Sequence, residues 1–422
     1  MKDVVYDNFV DYKRMAENFI KVQPIYYDKA KIWWIWDSSL FKWKITDETE
    51  ILNWLDGYVG RFNTIPLRTK AEILEAFRRI GRLNKPKNID TQYIQFRNIL
   101  IDMNNGFESM TNPGYMVLNP IPWDIGKNEE TPIIDKLFED WVGEEYSKTL
   151  YQIIAYCMLP DYPIHRIFCL VGKGSNGKST FLKLLAKFLG SENIVSADFH
   201  NLLNSRFGTM KLYKKLACIM GEIDFKLLSK TDILKRLTGQ DLMHYEMKNK
   251  NPFSDYNYAK ILLATNTLPV TTDKTIGFYR RWMIIDFSNT FKREKDILNT
   301  IPDYEYENLA RKSIRILKEL LKDYNFHNEG TFNERENKYE GKSNPISIFL
   351  KLSCRNQVNA QILFSDIFNR FNKFALEQNL RKFSKQEFGR ILRLEGYDIK
   401  TKGIKENDRF TTQKYVLDLE WK

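Results

Sequence analysis

One run of eight residues constrains this chain more than any other. GKGSNGKS, Gly172 to Ser179, satisfies the spacing G-x-x-x-x-G-K-[ST]. The residues before it, IHRIFCLV, read as a buried strand. Those after it, TFLKLLAKFLG, read as an amphipathic helix closed by Gly190. A strand that turns through glycines into a helix belongs to an α/β layer. Its backbone N–H groups are free to wrap a phosphate at the helix N-terminus. Gly172, Lys173, Gly174, Ser175, Asn176, Gly177, Lys178, Ser179 and Thr180 are the candidate cradle. Lys178 is placed to bridge β- and γ-phosphates, and Ser179 to hold magnesium, which are the needs of ATP with Mg²⁺.

Strand–helix alternation continues from Ile164 to about Ile285. The strand LACIMGEIDF carries Glu222 and Asp224. An acid ending a neighbouring strand can share the metal and polarise the attacking water. Glu222 is the first choice; Asp224 is the fallback, or else caps the following helix. KILLATN ends in Asn266, which either orients that water or starts the turn into Thr267-Leu268-Pro269. FYRRWMIIDF offers Arg280 and Arg281 at the edge of another apolar strand; an arginine given to a neighbour's γ-phosphate is one reading and surface charge is the other. MHYEMK and YNYAKILL are expected to pair as a long hairpin with Lys248-Asn249-Lys250-Asn251 at its tip. Such a tip grips a phosphate backbone when it lines a ring centre, and is otherwise a solvated turn.

A chain of 422 residues calls for two or three domains. Turn chemistry at Asn112-Pro113-Gly114 and along 119–130 divides an α+β segment, 1–125, from a core at 126–324. In the first, Ile32, Trp34 and Trp36 share a strand face, with Phe41 and Trp43 on a returning strand. A hairpin core is preferred over base stacking for these aromatics. The polar stretch 325–345 reads as a linker. Residues 346–422 hold helices followed by two strands, with Ser384 and Glu387 as a capping box, in the outline of a winged helix. That segment has 15 basic and 9 acidic residues, more than half of the whole chain's net charge of +11. The excess favours a polyanionic partner without proving one. Four scattered cysteines, no zinc spacing, no signal-peptide apolar region and no run of 18 apolar residues point to a soluble cytoplasmic protein, in the host cytoplasm if viral, with no membrane partner.

NGKST (176–180), GEID (221–224), LKRLTGQD (234–241), ATNTLP (264–269) and RRWMIIDF (280–287) stand in one order over about 110 residues. This series resembles the superfamily 3 helicases, and most of all the helicase part of poxvirus-type, phage and plasmid primase-helicases. YIQFRNILIDMNNG and WWIWD resemble the domain that precedes the ATPase there. Many of those helicases end the second strand in two adjacent acids, whereas Gly221 fills the first position here, which leaves Glu222 as the main acid.

The resemblance implies an AAA+-type P-loop ATPase core working as a hexameric homo-oligomer on single-stranded DNA, 3′ to 5′. Arg280 or Arg281 acts in trans, and Lys248, Lys250 and His244 lie on the central DNA-binding hairpin. A primase or polymerase, in the same polypeptide or separate, is the implied partner. An origin-binding initiator and a non-unwinding AAA+ motor are the alternatives.

Overall fold

The computed structural model describes the chain except residues 1–4, 7–8, 60–66, 173, 206, 222–227, 229–230, 267, 270, 272, 292–296, 344, 378–382 and 407–408. It divides into two compact units. The first comprises Met1–Ile223, Lys230–Asn266 and Arg281–Glu329; the second comprises Asp224–Ser229, Thr267–Arg280 and Gly330–Lys422. Among the described residues no helix is long and apolar enough to cross a membrane.

At the centre of the first unit is a parallel five-stranded sheet. Its strands are β1 (Ile167–Val171), β2 (Ile194–Ser196), β3 (Ala217–Met220), β4 (Lys260–Thr265) and β5 (Trp282–Asp286), ordered 2-3-4-1-5. Every residue of β1 and β4 is buried, as expected of parallel strands covered on both faces. Helix α1 (Pro132–Cys157) turns at Gly143, whose φ of 77° no helical residue adopts, so it is two segments meeting there. Its N-terminal N–H groups would be orphaned in the core. The carboxylate of Glu305, itself fully buried on α4 (Asp303–Asp323), accepts from Ile133 and Ile134 at 3.1–3.2 Å. α2 (Lys178–Leu189) follows the glycine run, and α3 (Asp232–Leu237) precedes a hairpin.

The N-terminal part of this unit has two three-stranded antiparallel sheets, with helices at Tyr12–Val22, Glu48–Val59 and Leu67–Leu83. Strand Trp33–Asp37 pairs with Lys42–Thr46, with Trp36 opposite Trp43. Ile32, Trp34, Trp36 and Trp43 form one buried cluster; Trp33 and Ile35 face the helices on the other side. These aromatics are core, and the pleat's two-residue period explains the split.

The 325–345 stretch departs from the linker expectation in its second-unit part. Phe332–Ser343 is a helix, α5, with Tyr339 fully buried and its hydroxyl donating to Pro269 O at 2.9 Å. One aromatic anchors an otherwise polar helix against Phe278 and Tyr279, a contact that composition does not reveal. Beyond it lie α6 (Pro345–Ser353), β6 (Cys354–Leu363), α7 (Phe364–Glu377), α8 (Lys385–Leu394), β7 (Ile399–Glu406) and β8 (Arg409–Trp421). The two expected strands pair as a hairpin, and β6 adds a third on the far side of β8. β6 escaped the sequence reading because most of it is polar and exposed. The N-cap half of the capping box forms: Ser384 Oγ accepts from Glu387 N at 3.1 Å, and Phe383 and Phe388 both pack on Phe371. All four cysteines are free and buried; burial pushes the thiols of Cys157 and Cys218 up to about 12.

Candidate functional site

The glycine run leaves the carboxyl end of β1, and its conformation explains its composition. A Cβ on Gly172 would lie 1.9 Å from Asn176 Nδ2 and 2.4 Å from Phe287 O. Gly174 has φ +116°, and Gly177 has φ +91° with its would-be Cβ 2.4 Å from Trp141. Ser175, also left-handed at φ 49°, accepts a hydrogen bond from Phe291 N at 2.7 Å. Gly177 is the left-handed N-cap of α2. The loop is therefore a tight backbone cradle with a twelve-residue helix aimed at it, a shape suited to a phosphate group.

Lys178, the first residue of α2, is 7% exposed. Its ammonium donates to Gly172 O at 2.5 Å and Asn176 Oδ1 at 2.9 Å. Asn176, 3% exposed, donates in turn to Phe287 O at 2.9 Å. Ser179 is exposed and Thr180 half-buried at the start of the helix. Trp141, Phe181 and Phe287 pack beneath the loop with ring centroids 6.4–6.5 Å apart. Neither Trp141 nor Phe287 was legible as a support, because they come from α1 and the end of β5.

Parallel pairing brings the second candidate to the same edge. Thr265 lies opposite Val171, and Gly172 N donates to Thr265 O at 3.2 Å, so Asn266 begins directly beside the loop and is exposed. β3 flanks β4 on its other side, with Met220 opposite Leu263. Glu222, Asp224 and Lys173 lie outside the described residues.

The arginine pair divides. Arg281 precedes β5 at the amino edge of the sheet, its carbonyl accepting from Ile167 N at 2.6 Å. Four residue steps along β1, about 13 Å at the usual strand rise, separate that edge from the glycine run. Arg281 is 7% exposed and donates to Thr238 Oγ1 at 2.9 Å and Lys235 O at 3.2 Å, clamping the LKRLTGQD segment of its own chain. Arg280 is exposed.

The expected hairpin forms with a different return. Leu242–Tyr245 pairs with Phe253–Tyr256, while YNYAKILL supplies β4 instead. A buried strand wedged between β1 and β3 outcompetes a solvated ladder for that apolar run. Tyr245 and Phe253 stack on each other, and Tyr213 packs against both at an angle. The opposite face carries Leu242, His244 and Tyr256 in solvent, and His244 Nε2 lies 3.7 Å from Glu246. At the tip Lys248 is exposed and Lys250 half-buried, with Asn249 in the left-handed region. The tip also meets the N-terminal turn, where Asn251 N donates to Ala30 O at 3.2 Å.

Fold and site together define a mixed α/β protein whose parallel five-stranded sheet carries a glycine-rich loop at its carboxyl edge. A family of unknown function, DUF5906, matches residues 170–281, from the end of β1 through Arg281. No curated protein matches the chain. Among solved structures, the apo C-terminal region of NrS-1 (305–718) is similar with a TM-score of 0.52 and 14% identity, covering 100% of both chains. The A form of that apo region gives a TM-score of 0.48 and 14% identity, over 97% of this chain and 98% of that one. At such identity the likeness concerns the fold, and it runs the full length of the chain.

Proposed function

We propose that the chain is an ATP-dependent DNA helicase of phage, viral or plasmid replication, with an AAA+-type core, acting on single-stranded DNA as a hexameric ring. The observation that carries this reading is the juxtaposition at one sheet edge of the glycine cradle, Lys178 and Asn266. A strand inserted between β1 and β3 sets Asn266 next to the loop. Ligands of open α/β sheets bind at this carboxyl edge.

The residues fit a nucleoside triphosphate. Gly172 and Gly177 let the loop's backbone close down on Asn176, Phe287 and Trp141, where any Cβ would clash. Lys178 holds its charge at the head of α2, ready to exchange Gly172 O and Asn176 Oδ1 for phosphate oxygens. Ser179 and Glu222 would hold a magnesium ion, which would supply charge neutralisation at the phosphates. Glu222 accepts the proton of the attacking water and Asn266 orients it. The trans role falls to Arg280, since Arg281 is occupied within its own chain. Lys248, Lys250 and His244 grip the strand by its backbone, and the 346–422 segment is a winged-helix-like module.

Phosphate release with and without single-stranded DNA, followed by strand displacement, tests the reading. Lys178→Ala is expected to lose hydrolysis by at least about 10³-fold, in line with removing a principal phosphate contact. Robust turnover in that variant would overturn the site. DNA-stimulated hydrolysis without displacement would instead support a motor that does not unwind.

A further inference from the structure

A second site lies in the Gly330–Lys422 part of the chain and uses none of the residues assigned above. A cleft of about 530 Å³ opens between the first turn of α7, helix α8 and the β7–β8 hairpin. Among the described residues Ser365, Lys385, Gln386, Arg393, Thr412, Gln413 and Lys414 supply its polar lining, with no Asp or Glu. Lys385, Arg393 and Lys414 are exposed, and none of them has an ion pair among the described residues. Three unneutralised cations around one concave surface repel one another, so the arrangement favours an anion.

The geometry narrows the anion. Gln386, Gly389 and Arg393 recur at i, i+3 and i+7, which puts them on one face of α8. Gly389 keeps that face low: a Cβ there would lie 3.3 Å from Phe364 Cζ. Arg390 extends the exposed basic surface of the helix, and Lys400 and Lys402 extend that of the hairpin. Single-strand binders stack bases on free aromatic rings. Among the described residues the one aromatic lining this cleft, Phe364, packs instead against Phe388 and Phe368, with centroids 5.8 and 6.5 Å away. An exposed helix beside a two-stranded ribbon matches the roughly 12 Å major groove of B-form DNA, whereas the A-form groove of duplex RNA is too narrow for it.

We propose that this cleft binds the phosphate backbone of duplex DNA, with Lys385, Arg393 and Lys414 as its charged contacts. The site gives the chain a hold on double-stranded DNA that is separate from the hairpin tip and independent of the nucleotide reading.

Fluorescence anisotropy of the full chain, without nucleotide, tests it on a short DNA duplex, a single strand and an RNA duplex over a salt series. The triple variant Lys385→Ala, Arg393→Ala, Lys414→Ala is expected to bind the DNA duplex more than about tenfold more weakly. Each lost phosphate contact removes about 0.9 from the salt slope, so the slope should fall by about 2.7. Single-strand affinity and hydrolysis should be unchanged, and Lys385→Arg with Lys414→Arg should keep duplex binding. Duplex affinity within twofold of the parent, equal losses on duplex and single strand, or equal affinity for the RNA duplex would each overturn the proposal. All three side chains are exposed, and Lys414→Glu alone repeats the test should the triple variant misfold. Lys178→Ala should bind duplex normally, so failure of the nucleotide site and failure of this cleft are separately visible.

Discussion

Replacing each arginine of the Arg280–Arg281 pair by methionine should give opposite results in two assays. Among the described residues Arg281 donates two charge-assisted hydrogen bonds, to Thr238 Oγ1 and Lys235 O, from a position 7% exposed. At about 1.5–3 kcal/mol each, their loss is about 3–6 kcal/mol. Methionine retains most of the volume, and removing a buried guanidinium recovers part of its desolvation cost. Thr238 keeps its own bond to Leu234 O at 2.8 Å, so its hydroxyl stays satisfied. Arg281→Met should therefore destabilise the chain by about 2–4 kcal/mol, whereas the exposed Arg280→Met should stay within about 0.5 kcal/mol of the parent. Urea unfolding followed by tryptophan fluorescence reads the first effect. Phosphate release reads the second: Arg280→Met should fold normally and still lose most of its DNA-stimulated turnover, regaining part when mixed with Glu222→Gln chains that retain Arg280. The reasoning fails if Arg281→Met is as stable as the parent, or if Arg280→Met unfolds more easily than Arg281→Met.

Three further outcomes are expected. Lys248→Ala with Lys250→Ala should cut strand displacement by about tenfold or more and leave basal hydrolysis near the parent's; equal loss of both would remove the hairpin from the DNA path. Gly177→Ala must take φ +91° and press a methyl into Trp141, at about 1–2 kcal/mol for the backbone and about 1–3 kcal/mol for the clash. Because the two residues touch, Gly177→Ala and Trp141→Ala should be non-additive by about 1 kcal/mol or more in a double-mutant cycle, and additive losses would refute the contact. Lys260 is fully buried over the rings of Tyr156 and Tyr162, and burial lowers its ammonium to about 7. Between about 7 and the ordinary lysine value near 10.4 the unfolded chain holds the extra proton, so stability rises with pH across that window. Urea midpoints at pH 7 and pH 9 should show that rise in the parent and a smaller one in Lys260→Met; equal slopes would mean that Lys260 stays charged when folded.

What the sequence determined by itself is local. The strand, glycine run and helix around Gly172–Ser179 were legible because each glycine answers a φ or a close approach that no other residue meets. The Ser384–Glu387 cap and the Trp34–Trp43 hairpin were legible because their partners are near neighbours in the chain. Tertiary structure decided whatever depends on distant partners. Parallel pairing has no turn to announce it, so the 2-3-4-1-5 order that sets Asn266 beside Gly172 exists only in the folded sheet. That order claimed Lys260–Thr265 for β4 and shortened the hairpin, and it put Arg281 at the far edge, where Thr238 and Lys235 O hold it. Phe278 and Tyr279, sixty positions earlier in the chain, bury Tyr339 in a stretch whose composition reads as linker. A residue's type shows what it can bond, but its burial is fixed by side chains a hundred positions away. For that reason two adjacent arginines, alike in sequence, separate into a buried clamp and an exposed charge.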